Sequence, residues 1–275
     1  MIDKQQWWHV QHDIPQQVVL WVLIAVSCVW ATNMRATTNN TRIEQQMIDV
    51  KTRVFSASLT ADLSALLSAE RDMVALLASS PQQKQSLLFY YIGFVRLSVS
   101  NICDEEQKEG HINRAIEALE RCVQADKQFA DGFALLSAAY GQKAGLGLFA
   151  AMKHGMKSIS AMDKALELAP DNPRVQMLHG VATYFKPGIV GGNKQKGIEI
   201  LRKANRLFML KQSDGAEQTI LPTWGFAESF AWLGMVALEA GERETARQYF
   251  DRALMIAPQY AWVKTELYPK LSSQR

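Results

Sequence analysis

Cysteine is scarce in this 275-residue sequence, which has only Cys28, Cys103 and Cys122. No two of them form a C-x-x-C pair, whereas zinc sites and thioredoxin-like sites usually need such pairs. The five histidines are scattered, and none has the H-E-x-x-H spacing of a zinc protease. The sequence therefore predicts no metal site and no bound cofactor.

An excess of charge of one sign is lacking as well. The formal net charge is +3, and no block of lysine and arginine stands out. Nucleic-acid binding therefore gets little support, because it usually needs a strongly basic patch. Alternating apolar runs, which indicate strands, do not recur. No nucleophile motif such as G-x-S-x-G is present, so we expect a helical protein without enzyme activity.

A hydrophobic segment lies near the N-terminus. After a polar tail over 1–17, the residues from Val18 to Ala31 are apolar apart from Ser27. This stretch is shorter than the roughly 20 residues that span a bilayer, and extending it to Met34 gives a marginal span. Interfacial tryptophans typically surround a membrane helix, and four surround this segment: Trp7, Trp8, Trp21 and Trp30. We favour an uncleaved single-pass anchor over 18–34 in a bacterial inner membrane.

Two cleaved forms of this segment remain open. Val29 and Ala31 occupy the −3 and −1 places of a signal-peptide cleavage site. Alternatively, the stretch 25–28 resembles a bacterial lipobox, in which Cys28 would be lipidated. Either form would make the protein periplasmic or a lipoprotein. For an uncleaved anchor, the two arginines that follow the segment favour the bulk of the chain in the cytoplasm.

The stretch 227–260 carries a repeat pattern. Its residues at the pattern positions are Phe230, Leu233, Gly234, Ala237, Ala246, Phe250 and Pro258. They follow W-x₂-L-G-x₂-Y, A-x₃-F and P, with Phe for Trp and Ala for Tyr, over a period of 34 residues. The stretch therefore resembles the tetratricopeptide repeat (TPR) family. Gly234 has no Cβ, so we expect the two helices of this unit to approach closely there.

Weaker units of the same kind precede this one. We place about four degenerate TPR units between 81 and 260, at about 86–127, 130–172, 173–208 and 227–260. The resemblance implies an all-α solenoid of paired helices. A linker and a long capping helix are expected over 35–80, and a C-terminal cap helix over 261–275.

The resemblance also implies a binding surface, because the first helices of successive TPR units line a concave groove. By repeat position it assigns eight residues to this groove: Tyr90, Phe94, Asp131, Arg174, Met177, Tyr184, Glu228 and Met235. Aromatic and methionine side chains suit a peptide or an amphipathic helix. We therefore expect a membrane-tethered scaffold that binds a protein or peptide partner.

An alternative function comes from the third unit. Pro187, Gly188, Gly191 and Gly192 predict a fixed and unusual turn. Locally, the stretch 178–208 resembles exported bacterial TPR subunits that are associated with TRAP-type transporters. That likeness implies a periplasmic accessory protein that binds a small solute for a transporter, with a loop site around Gly191, Gly192 and Trp224.

The two remaining cysteines bear on the compartment. Cys103 and Cys122 flank the charged loop of the first unit. An exported domain could join them in a disulfide, whereas a cytoplasmic domain would keep them as thiols. The sequence leaves open which side of the membrane the repeats face.

Overall fold

A computed structural model describes residues 40–211 and 219–273. Contacts divide the chain into two compact units, Met1–Glu44 and Gln45–Arg275, and the helix pairs below belong to the second. The expected tail, the anchor over 18–34 and Cys28 lie outside the described residues. Among the helices that are described, none is both long enough and apolar enough to cross a membrane.

The described residues form helices and no strands, which confirms the all-α prediction for this part of the chain. The first helix, α1, covers 40–60 of the described residues. The helices that follow are α2 Leu63–Ser79, α3 Gln82–Ser100, α4 Glu105–Ala125, α5 Ala130–Ala144, α6 Leu148–Leu168, α7 Pro173–Phe185, α8 Lys194–Lys211, α9 Phe226–Glu239, α10 Arg243–Ile256 and α11 Tyr268–Ser273. A 3₁₀ turn over Gly188–Val190 joins α7 to α8, and a π-helical stretch over Trp262–Leu267 leads into α11.

Four helix pairs dominate the packing: α3 with α4, α5 with α6, α7 with α8, and α9 with α10. Each pair buries its apolar faces between its own helices and against the next pair, as solenoid repeats do. One buried core runs from α7 to α11 and includes Met177, Leu201, Phe250 and Val263. Because the C-terminal residues from Trp262 onward pack on α10, they cover the apolar side of the last pair.

Small residues set how closely the two helices of a pair cross. A Cβ added to Gly234 would overlap the ring of Phe250, which is fully buried. The second pair has Ser137 at this position. Its hydroxyl donates to the carbonyl of Ser158 at 2.7 Å, and the Ser158 hydroxyl donates back to the carbonyl of Ser137 at 2.9 Å. Two reciprocal hydrogen bonds therefore hold α5 and α6 together where they cross. In the fourth pair, α9 and α10 approach closely because Gly234 has no side chain.

Candidate peptide-binding face

We define the A-helix face by the first helices of the four pairs, α3, α5, α7 and α9. The eight residues predicted for the groove all lie on these helices. Six of them are buried, namely Tyr90, Phe94, Asp131, Met177, Tyr184 and Met235. Arg174 and Glu228 are partly buried. Most of the predicted groove residues are therefore covered by other parts of the chain.

The covering element is the connection that precedes α9. Its described residues, 219–225, form neither helix nor strand. The ammonium of Lys51 on α1 donates to the carbonyl of Thr219 at 2.7 Å, and the hydroxyl of Tyr91 on α3 donates to the carbonyl of Ile220. Two side chains of the helical framework thus bind main-chain carbonyl groups of this segment.

Trp224 occupies an aromatic pocket on α3. Its indole Nε1 donates to the hydroxyl of Tyr90 at 2.8 Å, and its ring centroid lies 5.0 Å from that of Phe94. Phe55 of α1 packs edge-on against Phe94 from another side, with centroids 5.3 Å apart. Burial raises the pKa of Tyr90 well above its usual value, so the hydroxyl is neutral and accepts the indole hydrogen.

A buried ion pair joins α5 to α7 beneath this pocket. The guanidinium Nε of Arg174 donates to one carboxylate oxygen of Asp131, and the amide of Asn172 donates to the other at 2.7 Å. Burial lowers the pKa of the Arg174 guanidinium. The nearby carboxylate of Asp131 opposes this effect, and the pKa is raised overall. The acceptor capacity of Asp131 is thus satisfied within the framework, and both charges are fixed in place.

Gly225 ends the segment and is the N-cap residue of α9. Its φ of +113° is in a region that favours glycine, and an added Cβ would overlap the ring of Phe208 and lie 3.2 Å from Cγ of Arg174. Its N–H donates to the carboxylate of Glu228 at 3.0 Å. Burial raises the pKa of Glu228, although this hydrogen bond and nearby Arg174 oppose the change. Five of the predicted groove residues, Tyr90, Phe94, Asp131, Arg174 and Glu228, therefore meet around 219–225.

The other three groove residues lie elsewhere. Met177 and Met235 belong to the core between α7 and α11. Tyr184 lies near the C-terminal end of α7, where its hydroxyl donates to Glu239 at 2.7 Å and the ammonium of Lys194 lies 5.2 Å from its ring centroid. All three belong to the core cluster against which Trp224 also packs.

The residues of the predicted loop site have different surroundings. Gly191 has a φ of +87°, and a Cβ on Gly192 would overlap the carbonyl of Lys186. Both lie in the turn between α7 and α8, and Gly192 lines an open cleft of about 430 Å³. Trp224 instead packs on α3, so the structure divides this set between two places.

Cys103 and Cys122 are free thiols in this structure. Cys103 is partly exposed, whereas Cys122 is buried with its Sγ 3.5 Å from the hydroxyl of Ser86. Burial raises the pKa of Cys122 to about 12, so its thiol stays protonated and unreactive at neutral pH. Within the described ranges, no group of three or more histidine, cysteine or acidic side chains is arranged to hold a metal ion.

Sequence reasoning missed Lys51, Phe55 and Tyr91 as members of the site. The sequences of α1 and α3 each contain a feature that indicates these residues. Lys51 interrupts the otherwise apolar stripe of α1 and is almost fully buried, and a buried lysine needs a polar partner. Tyr90 and Tyr91 are adjacent on α3, so their side chains point about 100° apart, which indicates a helix that is covered on two sides.

Comparison with known proteins agrees with this architecture. The tetratricopeptide repeat model matches residues 227–260. A thermophilic TPR protein of Thermus thermophilus superposes with a TM-score of 0.58 at 16% identity, over 83% of this chain and 98% of that one. The HusA haemophore of Porphyromonas gingivalis gives a TM-score of 0.47 at 19% identity, over 63% of this chain and 93% of its own.

A crystal structure of MamA gives a TM-score of 0.37 at 18% identity, covering 70% of this chain and 88% of that one. A search of curated proteins finds no match. The TRAP-type likeness of 178–208 gains no support from these comparisons. The matched repeat and the fold shared with the Thermus protein lead to one conclusion: the chain carries a tetratricopeptide repeat and has the paired-helix fold of TPR proteins.

Proposed function

We propose that this protein is a membrane-tethered scaffold that binds a peptide segment of a protein partner on its A-helix face, at the place where its own residues 219–225 lie. TPR-type solenoids are in general protein-interaction scaffolds rather than enzymes. The observation that carries the proposal is the way in which the face holds this segment. Lys51 and Tyr91 bind its carbonyl groups, and an aromatic pocket holds Trp224.

These contacts are suited to peptide recognition for two reasons. Hydrogen bonds to main-chain carbonyls are available from any extended peptide, so they supply affinity without demanding a sequence. The pocket of Tyr90 and Phe94, with Phe55 packed against Phe94, selects an aromatic side chain. An aromatic anchor buried in a pocket commonly dominates the binding energy of an interface. The face therefore favours a partner segment with an exposed tryptophan or a similar ring.

The chain's own segment competes with such a partner. A tethered segment acts at an effective concentration of about 1 mM or more, so a free peptide has to overcome it. Weakening the hold on 219–225 should consequently open the face. Trp224→Ala is the direct variant, because it removes the side chain that fills the pocket while leaving the pocket residues intact.

The test uses a fluorescein-labelled peptide with the sequence of 219–225, Thr-Ile-Leu-Pro-Thr-Trp-Gly, and the full chain in detergent micelles. Fluorescence anisotropy should show that the Trp224→Ala protein binds this peptide. The unchanged protein should bind it about ten-fold more weakly or worse, because its own segment competes. Circular dichroism establishes first that the variant keeps its helices.

A peptide with alanine in place of tryptophan is the matched control and should bind neither protein. If the variant binds neither peptide, the A-helix face does not recognise peptides in this way and the proposal is wrong. Equal binding of the tryptophan peptide to both proteins would place the peptide on some other surface, and would overturn the assignment as well.

The membrane tether in this proposal rests on the sequence of 18–34, which lies outside the described residues. Its apolar run and the tryptophans around it support an anchor. In cell fractions, the full chain should stay in the membrane pellet after washing at alkaline pH. Deletion of 18–34 should release it. Release of the full chain by the wash alone would contradict a spanning anchor.

A further inference from the structure

The turns that join α5 to α6 and α7 to α8 lie at the same edge of the stack. Arg174 and Asn172, at the start of α7, both bond to Asp131 at the start of α5. The two helices therefore start side by side, and they pack against each other. Stacked helix-pair repeats keep the same orientation, so we infer that the two helices, which are 15 and 13 residues long, end at a similar level at about 1.5 Å per residue.

Large apolar side chains are exposed at this edge. On α6, Phe149 is 87% exposed and Met152 is 74% exposed, and at the tip of the neighbouring turn Ile189 is 95% exposed. We call the full set the apolar edge; it comprises Leu148, Phe149, Met152, Met156, Phe185, Ile189 and Val190. Leu148, Met152 and Met156 recur every four residues, so they form one stripe along α6.

Lysines border the apolar edge. Lys153 and Lys157 follow Met152 and Met156 on the flank of the stripe. The ammonium of Lys157 is 4.0 Å from Glu120 but its side chain is still 51% exposed. Lys194, at the start of α8, is 3.8 Å from Glu239 and 73% exposed. Both ammonium groups therefore remain within reach of further anions.

The flanking turns are not basic in the same way. The turn between α3 and α4 leads into Glu105 and Glu106, and the turn between α9 and α10 carries Glu242 and leads into Arg243 and Glu244. Exposed apolar and basic side chains therefore coincide at the two middle turns of the stack.

We propose that the apolar edge docks on the surface of an anionic lipid bilayer. Phe149 and Ile189 project outward from a helix start and a turn tip, a shape that suits a deformable medium better than a groove on a protein partner. Lysines at the same level can reach lipid phosphates while their stems stay apolar. This docking is separate from peptide binding on the A-helix face and from the anchor over 18–34.

The test uses the full chain inserted in vesicles, with an environment-sensitive NBD probe on a cysteine introduced by Phe149→Cys. Cys28 and Cys103 are replaced by serine, and Cys122 is buried. In vesicles with anionic lipid, the probe should become brighter and blue-shifted, and brominated lipids should quench it. The same probe at Met255→Cys, a position that is 71% exposed at the end of α10, is the control and should not respond.

Charge is tested with Lys153→Gln and Lys157→Gln together. Each lysine near an anionic surface strengthens contact about five-fold, so the double variant should weaken contact about 25-fold. Where flotation shows that the proposed anchor keeps all variants on the vesicles, loss of the signal reports docking of the edge alone. No response at position 149, or an equal response at position 255, overturns the proposal. A response that grows with protein concentration in the absence of anionic lipid would assign the edge to a protein contact instead, and would also overturn it.

Discussion

The indole Nε1 of Trp224 donates a 2.8 Å hydrogen bond to the hydroxyl of Tyr90, a residue 134 positions earlier in the chain. This bond links the connection before the fourth helix pair to the first helix of the first pair. Phe94 strengthens the link, because its ring contacts that of Trp224. Trp224 is thus one of the contacts that hold 219–225 on the A-helix face, beside the hydrogen bonds from Lys51 and Tyr91.

Trp224→Phe and Trp224→Ala should separate the two parts of this contact. Phenylalanine keeps the ring contact with Phe94 but removes the N–H donor, so we expect a loss of about 1 kcal/mol in the free energy of unfolding. Alanine also removes the aromatic packing and should cost about 2–3 kcal/mol, because Trp224 is only partly buried. Urea denaturation measures the loss in the free energy of unfolding for each variant. Equal losses for the two variants would show that the ring contact contributes nothing.

The pair Asp131–Arg174 should be far more sensitive than an exposed pair. Asp131→Asn or Arg174→Met leaves one buried charge without its partner, which should cost about 3–4 kcal/mol. The double variant should lose much less than the sum of the two single variants. The control is Asp72→Asn, whose partner Arg53 is 51% exposed, and which should cost less than about 1 kcal/mol. Additive losses in the double variant would mean that the ion pair does not act as a unit.

Alanine should have opposite effects at two helical glycines. At Gly234 the added methyl group meets the buried ring of Phe250 and the carbonyl of Ala246. We expect Gly234→Ala to destabilise the protein by about 1–3 kcal/mol. At Gly110 in α4 nothing lies within 4 Å of an added Cβ, so Gly110→Ala should stabilise by about 0.5–1 kcal/mol through helix propensity. Thermal unfolding of both variants checks the signs, and a neutral Gly234→Ala would contradict the close crossing.

The features that the sequence predicted are local ones. The spacing of Gly234 and Phe250 lies within one 34-residue repeat, and both the family model and the crossing of α9 and α10 agree with it. The all-α fold follows in the same way, since helical periodicity is visible in each short stretch.

The arrangement of the candidate site depends on long-range contacts that no local pattern encodes. Lys51 reaches Thr219 across 168 positions, and Tyr91 reaches Ile220 across 129. A sequence pattern identifies the residues of the first helices, but it does not show that a distant connection covers them. Repeat position therefore assigned these residues to the first helices of the pairs, whereas the placement of 219–225 against some of them was visible only in the structure.

His179 should make the protein less stable in mild acid. Its Nδ1 is buried without a hydrogen-bond partner. Burial lowers the pKa of His179 below its usual 6.5, and Lys186, Lys196 and Lys203 add to this while Asp163 opposes it. The folded protein therefore binds a proton at this site more weakly than the unfolded chain does. The part of the folding stability that depends on neutral His179 is fully present above pH 6.5. It is lost as the pH falls from 6.5 through the lowered pKa of the folded protein.

The variant His179→Gln carries no charge at any of these pH values, so its stability should change less between about pH 7.5 and about pH 5.5. Urea denaturation at matched ionic strength gives, for each protein, the change in the free energy of unfolding between the two pH values. Raising the salt concentration should weaken the part that comes from the lysines and leave the part that comes from burial, because burial is not screened. If the unchanged protein and the variant lose stability equally over this range, His179 does not titrate as its burial requires.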